Sequence, residues 1–308
     1  MTRILLTPTL LLIMNCSAIC QINPSDSTAQ VIAYWNKNEK QNYTVTSDKI
    51  RIQDGDTISK EFVRYDVDIT VQDSTESGYI INWFYHDYYI ETDDELVKKL
   101  FSLVEDMNIQ IRTDELGTFE EVINWEEIRK YILKGTSMMK NEMKDVPRID
   151  KIISQMEEVY SSPKAIEASA INEILQFYYF HGVQYKHWKE YSYDNKLANL
   201  YGGQPFDAKV TFWLDEINDV DNNAVYRMQQ VVDSDQLTNE TFNYLSNLAE
   251  TMQAPGPVRE EFPDMHNETW MASRIHGSGW VLYSIQTKEV IAENVMQIEE
   301  CIIELNSR

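Results

Sequence analysis

The sequence predicts an α+β protein in which antiparallel meander sheets carry a helical insertion. Three observations predict this class. Apolar and polar residues alternate in the first and last thirds of the 308 residues, helical spacing dominates the centre, and the strands and helices occur in blocks. Parallel sheets need a crossover, usually a helix, between successive strands, so this block order favours an antiparallel sheet.

The first third predicts a meander of three strands. Its middle strand has an apolar residue at every second position, which places these side chains on one face and the intervening polar residues on the other. The apolar members are Val63, Tyr65, Val67, Ile69 and Val71. Turn residues at 54–55 and 73–78 separate this strand from strands predicted at 43–52 and 79–90.

A helix and a hairpin are predicted next. Leucines at helical spacing predict a helix over residues 93–107, and acidic residues at its start suit the positive end of the helix dipole. Gly117 then separates two short apolar segments, 109–112 and 118–123, that can pair as a hairpin.

The centre of the chain predicts a helical insertion over about residues 124–182. It opens at Asn124, three residues before Glu127, which is the spacing of a capping box. Another helix begins at Pro163, because a proline is tolerated in the first helical turn, with Ser162 as its cap. The predicted buried stripe of that helix consists of Ile166, Ile171, Ile174, Leu175 and Tyr178.

Strands return in the last third. They are predicted at residues 210–214, 225–232, 270–276 and 280–285. A helix over residues 235–252 separates the first pair from the second, and Gly277-Ser278-Gly279 turns the second pair as a hairpin. The apolar tail to Leu305 fits a final strand or a helix, and both alternatives are open.

Residues 1–20 have the pattern of a secretory signal peptide. Arg3 precedes an apolar stretch, and Ala18 and Cys20 place small side chains at the −3 and −1 positions of a cleavage site. A lipid anchor on Cys16 or Cys20 is the weaker alternative, because neither cysteine follows a small residue. We therefore expect an exported protein, periplasmic or extracellular and soluble after cleavage, with residues 21–308 as a single α+β domain.

Charge excludes some partners. The formal net charge of −23 repels phosphate backbones and anionic lipid surfaces, so nucleic acid is not an expected partner. After the signal segment, no stretch reaches the length of about 20 apolar residues that a transmembrane helix needs.

Two segments carry a family resemblance. TESGYIINW at residues 75–83 and DELGTFEEVINWEEI at residues 114–128 resemble secreted families of the Bacteroidetes type that have no assigned activity. The resemblance implies export and leaves the activity open. The predicted architecture is also similar to that of periplasmic lipoprotein carriers, which implies a half-open barrel that wraps on helices and holds acyl chains.

Aromatic residues are the candidate ligand-binding groups. Aromatic faces with polar edges bind sugar rings and apolar chains well, and such residues concentrate on the third predicted strand and in the segment after the central helices. The candidates are Trp83, Tyr85, Tyr178, Tyr185 and Trp188. The alternative is that these aromatic rings pack in the core.

Metal and catalytic motifs are not complete. Five residues separate His181 from His187, which is not the spacing of a helical zinc site. The stretch 219–223 resembles the start of an EF-hand loop, but Ala224 replaces the required glycine and Gln230 the bidentate glutamate. We predict no catalytic residue, no metal and no cofactor.

These observations favour a non-enzymatic protein that binds an apolar small molecule or a glycan, or that serves the cell envelope. Two alternatives are open. A glycan hydrolase could use a carboxylate pair that only the fold brings together. An assembly protein could bind protein partners through its sheet edges.

Export predicts a defined mature protein. Cleavage after Cys20 should leave Gln21 as the first residue, and the intact mass of protein purified from its host measures this directly. A mass that includes diacylglycerol on Cys16 or Cys20 would show that the protein is lipid-anchored instead.

Overall fold

The computed structural model describes residues 22–92, 95–144, 149–199 and 203–306. The predicted signal segment lies outside these residues. The described chain is an α+β structure in which antiparallel sheet predominates, as the block order predicts.

The predicted N-terminal meander is confirmed. Its strands are β3 (Lys40–Gln53), β4 (Asp56–Thr75) and β5 (Gly78–Glu91), preceded by the short strands β1 (Ile22–Asn23) and β2 (Thr28–Gln30). Helix α1 (Glu95–Ser102) follows and is shorter than predicted. The hairpin around Gly117 is also present, as β6 (Asn108–Thr113) and β7 (Phe119–Val122).

The helical insertion contains four helices in the described residues: α2 (Trp125–Glu142), α3 (Ile149–Val159), α4 (Pro163–Ser169) and α5 (Asn172–Tyr178). Ser162 caps α4 as predicted, since its Oγ accepts from Ala165 N. The single helix predicted after Pro163 is instead two helices, which break at Ala170 and Ile171.

The predicted capping box at Asn124 is wrong. Its side chain makes no cap hydrogen bond to α2. Instead, Oδ1 accepts from Gln110 N at 2.8 Å and Nδ2 donates to Asn108 O at 3.0 Å. Asn124 therefore fastens the start of α2 to strand β6.

The C-terminal half consists of strands, one α-helix and a short 3-10 helix at Arg259–Glu261. The strands and the α-helix are β8 (Gln184–Lys186), β9 (Glu190–Leu197), β10 (Phe206–Asn218), β11 (Asn223–Val232), α6 (Ser234–Thr251), β12 (Met265–His276), β13 (Val281–Ala292) and β14 (Val295–Leu305). The tail is thus a strand, which settles the open alternative. Asp233 caps α6 through a hydrogen bond from Gln236 N.

Eleven of these strands form one antiparallel sheet in the order β7-β6-β5-β4-β3-β14-β13-β12-β11-β10-β9. Strand β14 pairs with β13 on one side and with β3 on the other, so the last strand of the chain joins the two meanders. The sheet is not closed, because β7 and β9 form its two edges and do not pair with each other in the described chain. A separate small sheet contains β1, β2 and β8.

The helices pack on one face of the large sheet, here called the inner face. One hydrophobic cluster joins residues on this face, from β6 through to β10, with buried residues of α2, α4 and α5. Helix α5 contacts β13 and β14, near the middle of the sheet. Helix α6 packs on β10 and β12. In the described residues, no helix is long and apolar enough to cross a membrane.

A segment that the sequence analysis did not identify runs through this core. Residues 31–36, here called the strap, have alternating burial, with Val31, Ala33 and Trp35 at most 3% exposed. Ala33 N donates to Leu116 O at 2.9 Å and Tyr34 N to Ser278 O at 3.1 Å. The strap therefore joins the turn of the β6–β7 hairpin to that of the β12–β13 hairpin.

Gly279 makes room for the strap. Its φ of +85° is one that residues with a side chain rarely adopt, and a Cβ at this position would lie 2.6 Å from Ile32 O. The β3–β4 turn residue Gly55 has a similar φ of +87° but no atom within 4 Å of such a Cβ. A side chain at either glycine would incur backbone strain, but only at Gly279 would it also incur a steric clash.

Gly55→Ala should lower the free energy of unfolding by about 1–2 kcal/mol, the cost of a left-handed backbone. Gly279→Ala should lower it by clearly more, because the added methyl group also collides with the strap backbone. Urea denaturation of both variants measures the difference. Equal losses would show that the strap does not pack against Gly279 as described.

Candidate ligand-binding site

Helix α5 brings the candidate aromatic residues together with the strands. Phe177 and Tyr178 are 1% and 3% exposed and point into the hydrophobic cluster. The ring of Phe177 meets Trp83 of β5 and Tyr43 of β3 edge-on, with centroid distances of 5.3 and 5.4 Å. Trp83 and Tyr178 lie 6.2 Å apart.

This aromatic core contains polar atoms without a hydrogen-bond partner. They are Trp35 Nε1, Tyr43 Oη, Trp83 Nε1, Tyr178 Oη and His181 Nδ1. The Trp83 indole lies close enough to the Tyr178 hydroxyl to lower the pKa of Tyr178, but the geometry is not that of a hydrogen bond. Burial is the larger effect and raises that pKa. Few native cores hold so many unpartnered groups in one place.

His181 is a structural residue of this core. Its Nε2 is 2.8 Å from Gly279 O, and since a carbonyl only accepts, Nε2 carries the hydrogen. Burial lowers the pKa of His181 to about 4, so the ring is neutral near pH 7. His187 lies elsewhere, with its Nε2 2.9 Å from Asp215 O. The structure does not bring the two histidines together at one site.

Tyr85 lies at the edge of the core and meets a carboxylate. Its hydroxyl donates to Glu173 Oε1 at 2.7 Å. Glu173, the second residue of α5, is half-buried, and desolvation raises the pKa of its carboxyl group. The structure therefore places an acidic group against the sheet where sequence patterns indicated only an apolar surface.

The rings of Tyr185 and Trp188 contact other residues than Trp83 and Tyr178, although Tyr185 belongs to the same hydrophobic cluster. Tyr185 is 2% exposed and belongs to a second aromatic group with Phe180, Phe212 and Tyr226, at centroid distances of 5.1 to 6.1 Å. Trp188 is 81% exposed and has a φ of +61°. The five predicted residues do not form one site, and their role in ligand binding stays a prediction.

A pocket that the sequence analysis missed lies between α1 and α2. It has a volume of about 420 Å³ and is lined by Lys99, Leu103, Tyr131, Lys134, Gly135, Met138, Met139 and Glu142. Met139 is buried in a cluster with Ile149 and Ile153 of α3, which supports the floor of the pocket. Met138 and Tyr131 are 58% and 42% exposed.

Gly135 allows this pocket to form. A Cβ at Gly135 would lie 2.7 Å from the end of the Leu103 side chain, so the absence of a side chain lets Leu103 approach the helix. A glycine inside an 18-residue helix costs about 1 kcal/mol relative to alanine. The signal for this pocket in the sequence was a glycine inside a helical segment. Tyr131 and Met138, both exposed, lie about one helical turn before and after it.

A second depression, of about 510 Å³, lies beside the start of β12. Glu260, Glu261, Asp264, His266 and Glu293 contribute to its lining and make it acidic. In the part of the chain that the structure describes, no group of three His, Cys, Asp or Glu residues could hold a metal ion. We therefore take the α1–α2 pocket as the candidate site.

Comparisons with known proteins add three solved structures. Lipovitellin matches with a TM-score of 0.46 and 9% identity over 88% of this chain, which spans only 25% of the lipovitellin chain. DynF from the dynemicin biosynthesis pathway of Micromonospora chersina matches with a TM-score of 0.21 and 4% identity, over 94% of this chain and 89% of that one.

The third structure is a Bacteroides fragilis protein described as exported, with a YmcC-like fold. It matches with a TM-score of 0.22 and 9% identity, over 89% of this chain and all of that one. It comes from the bacterial group whose secreted families the segments 75–83 and 114–128 resemble. No family model and no curated protein matches the chain. At these identities and TM-scores, the likenesses assign neither a family nor an activity.

Two tyrosine variants test whether a buried hydroxyl stabilises the protein only when it has a hydrogen-bond partner. Tyr85→Phe removes the donor to Glu173 and should lower the free energy of unfolding by about 1–3 kcal/mol. Tyr178→Phe removes a hydroxyl without a partner and should be neutral or stabilising. Urea denaturation measures both, and a larger loss for Tyr178→Phe would contradict the described contacts.

The difference in stability between the wild type and Glu173→Gln should depend on pH. Because burial raises its pKa in the folded state, the folded protein favours the protonated form, and stability falls as the pH rises through that pKa. Glu173→Gln keeps an acceptor for Tyr85 but cannot ionise. Its melting temperature should match that of the wild type near pH 4 and exceed it at pH 7–8, measured in phosphate or acetate buffers. A constant difference across this range would refute the assignment.

Proposed function

We propose that this is an exported binding protein for an anionic amphiphile, a molecule with an apolar chain and one acidic group. The observation that carries the proposal is the α1–α2 pocket, whose lining combines apolar side chains with two lysines. Its volume of about 420 Å³ lies within the ~300–1,000 Å³ of small-molecule sites.

The apolar part of the pocket lining suits an apolar chain. Leu103, Met138 and Met139 provide flexible apolar side chains, and methionine adapts its shape to varied ligands. Tyr131 is held at the wall by the hydrogen bond from its hydroxyl to Glu105 O at 2.7 Å. An acyl chain in this groove would cover apolar surface that is now exposed on Met138 and Tyr131.

The two lysines of the pocket lining suit an acidic group. Lys134 is exposed and forms no ion pair with any residue that the structure describes. Lys99 Nζ lies 3.0 Å from Glu142 Oε2, so a ligand anion could compete with Glu142 for it. Two lysines at one pocket stand out on a chain of net charge −23. They support an anionic rather than a neutral ligand.

Export and the aromatic residues complete the proposal. The predicted signal segment would deliver the protein to a compartment where free amphiphiles are present. The aromatic residues predicted from the sequence keep a proposed secondary role. If the unclosed sheet opens as a half-open barrel does, Trp83 and Tyr178 would meet the ligand after the α1–α2 pocket has captured it.

Binding of cis-parinaric acid, a fluorescent fatty acid, tests the proposal. We expect saturable binding to the wild type, and weaker binding of the uncharged methyl ester. Lys134→Gln should weaken binding of the acid by about two- to fivefold and leave the ester unchanged. Gly135→Leu should block both ligands, because the new side chain collides with the end of Leu103 and both then compete for the pocket volume.

Lys130→Gln is the matched control, since this lysine is on α2 and does not line the pocket. Circular dichroism establishes that each variant is folded. Binding that Gly135→Leu leaves intact would place the ligand elsewhere, and no binding of either probe would contradict the proposal.

A further inference from the structure

A carboxylate without a cationic partner lies between α5 and β5, and it does not line the α1–α2 pocket. Glu173 Oε1 accepts the Tyr85 hydroxyl at 2.7 Å. No other side chain that the structure describes is hydrogen-bonded to Glu173, and none of the described Lys, Arg or His residues forms an ion pair with it. A negative charge in such surroundings is poorly compensated.

Tyrosine rings of β4 and β5 lie next to Tyr85, which contacts this carboxylate. Tyr65 stacks on Tyr88 with a centroid distance of 4.8 Å and lies 5.7 Å from Tyr85. Tyr160, which follows α3, is 8% exposed. Desolvation is the main cause that raises the pKa of Tyr65, Tyr85, Tyr88 and Tyr160, and the negative charge of Glu173 is the second. All four tyrosines therefore lie within electrostatic reach of the carboxylate.

The site is open on one side. Tyr65 and Tyr88 are half-buried rather than enclosed, and Tyr88 meets Phe101 of α1 with a centroid distance of 6.5 Å. Glu173 is itself half-buried, so part of its side chain meets solvent. A small ligand could therefore approach Glu173 from beside α1 without entry into the aromatic core.

We infer that Glu173 and the tyrosines Tyr65, Tyr85, Tyr88 and Tyr160 bind an organic ammonium cation. Aromatic faces attract cations that are weakly hydrated, and a carboxylate supplies the matching charge. A divalent metal is a poor fit, because calcium and magnesium need several oxygen ligands, and among the described residues Glu173 is the one carboxylate hydrogen-bonded to these tyrosines. The acidic chain as a whole raises the local concentration of cations.

The inference is independent of the proposed function. The two sites share no lining residue, and they select ligands of opposite charge. If the fatty acid does not bind, the inference of an ammonium site is unaffected. If tetramethylammonium does not bind, the proposed function is unaffected.

Isothermal titration calorimetry with tetramethylammonium chloride tests the inference, with sodium chloride at equal ionic strength as the reference. The buffer is phosphate, since amine buffers would compete. We expect saturable binding to the wild type. Glu173→Gln should weaken it by about tenfold or more while an acceptor for Tyr85 remains. Tyr88→Leu should weaken it as well, through loss of one aromatic face.

Glu158→Gln is the control, because Glu158 is an exposed carboxylate on α3. It should leave tetramethylammonium binding unchanged. Circular dichroism shows whether the variants fold. If Glu173→Gln does not fold, Tyr88→Leu still tests whether this site binds tetramethylammonium. No saturable binding to the wild type, or an equal loss in Glu158→Gln, would overturn the inference.

Discussion

The structure depends on one buried contact, made by the amide of Gln176. This residue of α5 is 2% exposed, and its Nε2 donates to Ser284 Oγ at 3.0 Å and to Cys301 O at 3.3 Å. Ser284 is in turn hydrogen-bonded to Ser273 at 2.7 Å, so the contact spans β12, β13 and β14. A buried amide without partners is costly, and this network therefore fixes α5 at one place on the sheet.

The aromatic core and the surroundings of Glu173 depend on that placement. Strand β14 joins the two meanders, and α5 lies against it, so residues of one short helix reach both halves. Phe177 meets β3 and β5, Glu173 meets β5, and His181 after the helix meets Gly279 in the β12–β13 turn. The aromatic core is packed with the protein's own rings, and the two proposed ligand sites lie outside it, one between α1 and α2 and the other where Glu173 meets Tyr85.

The sequence predicted the parts of this structure that depend on local pattern. The alternation from Val63 to Val71 predicted β4, and Gly117 and Gly279 predicted their hairpins, because period and turn chemistry are properties of neighbouring residues. It failed at Asn124, whose side chain bonds to a strand instead of its own helix. It also missed the carboxylate of Glu173 beside Tyr85 and the pocket at Gly135, since both depend on residues distant in the chain.

Hydrogen exchange of the native protein, followed by mass spectrometry, tests the central claim most directly. If α5 unites the two meanders through Gln176, amides of α5, β3, β13 and β14 should exchange with one common free energy, equal to that of global unfolding. Exchange of β12–β14 at a lower free energy than β3–β5, with α5 following only one of the two groups, would show that the halves unfold separately and would contradict the account.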